Sequence, residues 1–238
     1  MNSTTDQKIA TREEWLIARK KHLENEKKFT RLRDELSQER RELPWVEVSE
    51  SYTFETDNGS QTLVELFEGK SQLIVYHFMF GPGWGEGCKS CSCIADGFES
   101  AIKHLGGRDT TLVSVSRAPL SELKPFKERM GWNFKWVSSC ESEFNKDFNV
   151  HFDPEVVEKG TTEYNYGQNP YPVEDAHGIS VFARGEDGKV YHTYSSFARG
   201  LDMMFSVYNY LDIVPKGRDE KDLSFTMEWM RHHDKYEG

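Results

Sequence analysis

No stretch of the 238-residue sequence approaches the roughly 20 apolar residues that a bilayer-spanning helix needs; the longest apolar run, Leu73–Phe80, contains His77. Met1–Thr11 is polar and holds no signal-peptide core, so a cytoplasmic protein is expected. Basic blocks are missing as well. Lys and Arg total 30 against 40 Asp and Glu, a net charge of −10, and the basic residues near the N-terminus are interleaved with Glu. Phosphate contacts need clustered cations, so neither a nucleic acid nor a membrane is an expected partner. Cysteine is scarce: four residues are too few for the disulfide framework of a secreted fold. In a reducing compartment, closely spaced cysteines read instead as redox or metal sites. No internal repeat is visible. What is present suffices for a sizeable core, with 37% hydrophobic and 13% aromatic residues. A charged fraction of 29% and a mean hydropathy of −0.72 predict a well-hydrated surface.

Arg12–Leu43 contains no Gly or Pro and is dense in Glu, Lys, Arg and Leu, which predicts one long, largely exposed helix, or two. Thr11 and Glu14 have capping-box spacing, and Pro44 ends the segment. Residues 1–44 therefore read as a helical arm packed on a domain, with a homodimerisation arm as the alternative. Residues 45–214 read as one α/β domain. Short strands are expected at Val46–Val48 and Tyr52–Phe54, a turn at 57–60, and a short helix over Thr62–Phe67. Leu73–Phe80 has the continuous apolar character of a buried central strand. A glycine-rich loop, residues 81–87, leads into Cys88-Lys89-Ser90-Cys91, and Cys91–Leu105 carries helical spacing. A strand over Thr110–Ser116, a helix over Pro119–Met130, a strand over Phe134–Val137 and a short helix over Glu143–Phe148 follow. Residues 153–176, with three prolines and three tyrosines, read as an irregular insertion that could serve as a lid. A hairpin (Ile179–Ala183, Val190–Tyr194) and a helix (Leu201–Leu211) close the domain. Residues 215–238 read as a polar C-terminal tail with a short helix around Phe225–Met230. The order β-α-β-α-β, hairpin, helix is that of a thioredoxin-like fold: a three-layer α/β/α arrangement on a central mixed sheet, here with an N-terminal helical extension and an insertion before the last hairpin.

The cysteine pair carries the chemistry. The thiolate is the reactive species, and a helix N-terminus stabilises an anion through its free N–H groups. Cys88 is expected at that end. Cys91 returns about 300° round the helix and shares its face, so it can resolve a mixed disulfide formed at Cys88. A C-x-x-C is also half of many zinc sites, but no second one completes such a site here. Cys93 points away and reads as a small buried hydrophobe. Cys140 reads as a free thiol near a strand end, or else as a second resolving thiol.

Several stretches together resemble a thioredoxin-like family of unknown function, distantly similar to alkyl hydroperoxide reductases and other peroxiredoxins. They include Arg12-Glu13-Glu14-Trp15, Tyr76-His77-Phe78-Met79-Phe80-Gly81, Gly87-Cys88-Lys89-Ser90-Cys91-Ser92, Ser114-Val115-Ser116-Arg117-Ala118-Pro119, Trp136-Val137-Ser138-Ser139 and His192-Thr193-Tyr194-Ser195. The resemblance spans about residues 10 to 220 and implies the thioredoxin-like fold without settling an activity. Two departures matter. Thioredoxins place a cis-proline before the hairpin strand, where this chain has Ala176-His177-Gly178. Peroxiredoxins use a Pro-x-x-x-Thr/Ser-x-x-Cys loop, where this chain has Pro82-Gly83-Trp84-Gly85-Glu86-Gly87-Cys88 and lacks the hydroxyl.

The leading expectation is a thiol oxidoreductase in which Cys88 attacks and Cys91 resolves. Trp84 and Arg117 are candidate substrate-binding residues, a small thiol, disulfide or redox protein is the partner, and no cofactor is required. The alternative is a copper or zinc protein using Cys88, Cys91 and His177, a soft ligand set. For Arg117 a structural ion pair competes with anion binding. His77 reads as a core histidine, His192 and Arg199 as structural, and His232-His233 as a surface pair.

Overall fold

The structure, a computed structural model, describes residues 7–168 and 170–237. Residues 1–6, 169 and 238, which fall in the N-terminal arm, the insertion and the C-terminal tail of the sequence reading, lie outside the described part. Thr11 opens helix α1 (Arg12–Glu42) with the expected capping box: its hydroxyl accepts from Glu14 N–H, and the Glu14 carboxylate accepts from Thr11 N–H. No residue of α1 is buried, so it does not pack into the domain as an amphipathic arm would. Its one ring contact with the domain, among the described residues, is Arg40 over Tyr194, 4.7 Å from the centroid.

The strands, in chain order, are β1 (Val46–Glu47), β2 (Thr53–Thr56), β3 (Gly59–Thr62), β4 (Gln72–His77), β5 (Thr110–Ser116), β6 (Trp136–Ser138), β7 (Glu163–Tyr164), β8 (Gly167–Gln168), β9 (Gly178–Arg184) and β10 (Val190–Phe197). After α1 the helices are α2 (Lys89–Ala95), α3 (Phe98–Gly106), α4 (Leu120–Arg129), α5 (Phe144–Asp147), α6 (Pro154–Glu158) and α7 (Ser206–Leu211). All strands but β7 and β8 form one sheet, in the order β1-β10-β9-β4-β5-β6-β2-β3. β4 is central: β5 lies parallel on one side and β9 antiparallel on the other, with β10 antiparallel beyond β9. This order, with the cysteine pair soon after the central strand, is a thioredoxin-like fold.

Side chains alternate along β4 and divide the core. Tyr76 points to a face shared with α2, α3, α4 and α7. Leu73 and Val75 point to the other face, which carries Leu66, Phe67 and Phe144. That second layer is thin. It consists of a 3-10 turn (Glu65–Phe67), the short helix α5 and the inward side chains of the β2–β3 hairpin.

Local differences from the sequence reading have physical causes. The helix expected over Thr62–Phe67 begins only at Glu65, because Gly59–Thr62 pairs back on β2 around the Asp57-Asn58 turn. The helix expected over Cys91–Leu105 starts at Lys89 and breaks at Asp96-Gly97, where the Asp96 carboxylate accepts from Trp132 Nε1–H at 2.8 Å. The helix expected over Leu201–Leu211 is a 3-10 segment (Ala198–Met204) followed by α7, the two separated by Phe205. The insertion is less irregular than its prolines suggest. It forms α6 and a small hairpin of β7 and β8, and packs a satellite core of Val150, Phe152, Tyr164, Ala176 and Phe197. Phe225–Met230 forms turns rather than a helix.

Candidate functional site

β4 delivers the chain to a loop that folds back on it. Cys88 N–H donates to the Met79 carbonyl at 3.0 Å, which places Cys88 at the N-cap of α2. Gly87 is required by space: a Cβ there would lie 2.6 Å from the Phe78 ring and 2.9 Å from the Phe126 ring.

The two sulfurs have opposite environments. Cys88 is half-buried, its sulfur 3.2 Å from Ser90 Oγ. The Cys91 thiol, the Ser90 hydroxyl and the N–H groups of both residues stabilise its thiolate, and its pKa falls to about 6 against the burial that opposes ionisation. Cys91 is buried, and burial together with the adjacent Cys88 sulfur holds its pKa well above that of an ordinary thiol. Two donors oppose that shift, the Tyr76 hydroxyl and Met79 N–H. The Tyr76 hydroxyl is fully buried beside the Cys91 thiol and otherwise has no hydrogen-bond partner among the described residues.

Two insertion tyrosines stand above the pair. Tyr164 and Tyr171 pack with ring centroids 4.8 Å apart, and the Tyr171 hydroxyl reaches Met79 Sδ at 3.8 Å. Tyr164 fixes the turn before β9: its hydroxyl donates to the His177 carbonyl at 2.7 Å and accepts from Ala198 N–H at 3.0 Å.

His177 does not join the cysteines. Its ring lies among the Ala198 backbone and Asp202, and burial lowers its pKa. Among the described residues no three His, Cys, Asp or Glu side chains gather as a metal-holding group. The expected set of Cys88, Cys91 and His177 does not form such a group among the described residues.

Trp84 and Arg117 do come together, along a cleft of about 660 Å³ that Pro82, Pro154, Val157 and Pro172 also line. Neither cysteine lines it. Arg117 is already engaged: Nε and Nη2 donate to the two Asp175 oxygens at 2.7 and 3.0 Å, the structural alternative raised by the sequence. Cys93 is half-buried, and burial with the Asp96 charge pushes its thiol up to about 11. Cys140 is exposed, and its pKa is raised by partial burial and by Glu141 and Glu55, the direction of an inactive thiol. His77 and His192 end a hydrogen-bonded chain through Ser180 and Ser195, with links of 2.8, 2.9 and 2.8 Å, on the sheet face away from the cysteines. Arg199 pairs with Asp202 at the surface.

The expectation of a surface His232-His233 pair is overturned at His232, which is 2% exposed. Its Nε2–H donates to the Gly87 carbonyl at 2.8 Å. His233 Nδ1 lies 2.7 Å from Asp96 Oδ1. No local pattern announces this, since His232 and Gly87 are 145 residues apart.

Fold and site together define a thioredoxin-fold protein with a Cys-x-x-Cys pair at the start of the helix after its central strand. The chain belongs to a family described as bacterial protein of unknown function (DUF899), which matches residues 4–236. No curated protein matches it. Among solved structures it is similar to peroxidoxin BcpB from Mycobacterium tuberculosis, at 13% identity and TM-score 0.47 over 69% of this chain and 94% of that one. It is also similar to a cysteine-to-serine mutant of Xanthomonas campestris peroxiredoxin Q, at 13% identity and TM-score 0.46 over 71% and 98%. A thioredoxin-like protein from Bacteroides caccae matches at 13% identity and TM-score 0.38 over 76% and 54%.

Proposed function

We propose that this protein is a dithiol oxidoreductase acting through Cys88 and Cys91. The Cys88 thiolate attacks one sulfur of a substrate disulfide, forming a mixed disulfide and releasing the other substrate sulfur as a thiolate that takes a proton from water. Cys91 then gives up its proton to water and attacks the Cys88 sulfur. The second substrate sulfur leaves as a thiolate, and a Cys88–Cys91 disulfide remains. The substrate gains two electrons, and a partner dithiol returns them to the protein by the same exchange. The Tyr76 hydroxyl and Met79 N–H stabilise the Cys91 thiolate that this second step needs.

The supporting observation is the inequality of the two thiols: Cys88 is half-buried with its pKa lowered to about 6, and Cys91 is buried with its pKa raised well above that of an ordinary thiol. A nucleophile and its resolving partner need that division. The test is trapping. Cys91→Ser treated with a small aromatic disulfide should accumulate an adduct that peptide mass analysis places on Cys88. The wild type should release both product thiols and end with Cys88 joined to Cys91. A wild type that stops at a stable Cys88 adduct, or an adduct placed first on Cys91, overturns the reading.

A further inference from the structure

The C-terminal segment returns to the cysteine helix and grips it at both ends. At the start, the peptide between Gly87 and Cys88 is held from two sides. Its N–H donates to the Met79 carbonyl at 3.0 Å, and its carbonyl accepts from His232 Nε2–H at 2.8 Å. At the far end of α2, His233 meets the Asp96 carboxylate. The segment is anchored by Met230, 1% exposed in the aromatic core. The His232 ring lies edge-on to Phe126, with centroids 5.2 Å apart.

The tautomer of His232 is fixed by its second partner. Arg129 Nη2 donates to Nδ1 at 3.1 Å, so Nδ1 is the acceptor and the proton sits on Nε2, facing Gly87. Arg129 is in turn held by Glu86 in the cysteine loop and by Asp234, at 2.8 Å, in the C-terminal segment. This is a chain of charged and polar contacts ending on the backbone atom next to the nucleophile, and a passive surface tail has no use for it.

We propose that His232 is a positioning residue for Cys88, and that the C-terminal segment around it is part of the redox site. Cys88 is stabilised by the N–H groups of Ser90 and Cys91, so the orientation of the peptide entering Cys88 decides whether those donors aim at the sulfur. His232 fixes that orientation. The consequence is chemical only if Cys88 is the attacking thiol, and to that extent the inference rests on the oxidoreductase reading.

The experiment measures alkylation of Cys88 against pH in the full-length protein, with peptide mass analysis resolving it from the other thiols. In His232→Phe the midpoint should move from the neighbourhood of 6 toward the roughly 8.5 of a free thiol, with alkylation near pH 6.5 slowed about 5- to 10-fold. His232→Gln keeps a side-chain N–H donor and should recover most of the loss. A folded His232→Phe with the wild-type profile overturns the proposal, and so does His232→Gln shifting as far as His232→Phe. If His232→Phe does not fold, Arg129→Gln removes the tautomer-fixing donor without opening a core cavity. It should move the midpoint the same way by a smaller step, and an unmoved midpoint overturns the proposal. The readout needs no turnover. A midpoint that follows His232 in a protein whose disulfide exchange fails would retire the oxidoreductase reading and leave the positioning role standing.

Discussion

At the scale of single residues, the site works by giving two identical side chains different surroundings. Cys88 has donors and partial exposure; Cys91 has burial and one tyrosine hydroxyl. Tyr76→Phe should leave the alkylation rate of Cys88 within about two-fold of wild type. Release of the mixed disulfide should slow by roughly 10-fold, the worth of one hydrogen bond to a charged sulfur. Stopped-flow release of an aromatic thiol separates the two steps. Gly87→Ala should cost about 1–3 kcal/mol and lower the thermal midpoint, since its Cβ meets the Phe78 and Phe126 rings. The cysteines are legible in the sequence because their spacing is local. The position of His177 is not, because which neighbour fills the space beside a sulfur depends on how the insertion tyrosines fold over β9.

At the scale of elements, the segments read most closely are those whose signal lies within them. α1 follows from a run without Gly or Pro and a capping box, β4 from the apolar run Leu73–Phe80, α4 from its flanking Pro119 and Gly131. β3, the break between α2 and α3, and the docked C-terminal segment have no such local signal. Each is set by distant partners: β2 across a hairpin, Trp132 on Asp96, and Gly87 beneath His232. No residue of α1 is buried, and Arg40 over Tyr194 is worth about 0.5–1 kcal/mol. Removing residues 1–43 should therefore lower the urea-unfolding free energy of the rest by no more than about 1 kcal/mol. A loss of several kcal/mol would contradict this.

At the scale of the whole molecule, buried neutral histidines make the fold sensitive to acid. Burial lowers the pKa of His77 to about 3, and lowers those of His177 and His192 as well. Each folded value lies below the unfolded one, near 6.5, so the unfolded chain takes up the proton first as pH falls. For His77 the loss of stability should begin near pH 6.5 and run toward pH 3, at up to about 1.4 kcal/mol per pH unit. Urea titrations at a series of pH values should show this slope, and His77→Gln should make it shallower. Parallel curves for variant and wild type would show that His77 does not contribute. The His77–Ser180–Ser195–His192 chain links β4, β9 and β10 on the sheet face away from the cysteine pair.

The inequality of Cys88 and Cys91 is tested most directly by their ionisation. Alkylation of reduced protein against pH, resolved by peptide, should give Cys88 a midpoint at about 6. Cys91 should stay unreactive until well above the roughly 8.5 of a free thiol. A Cys88 midpoint at or above that of a free thiol, or Cys91 alkylating first, would contradict the account.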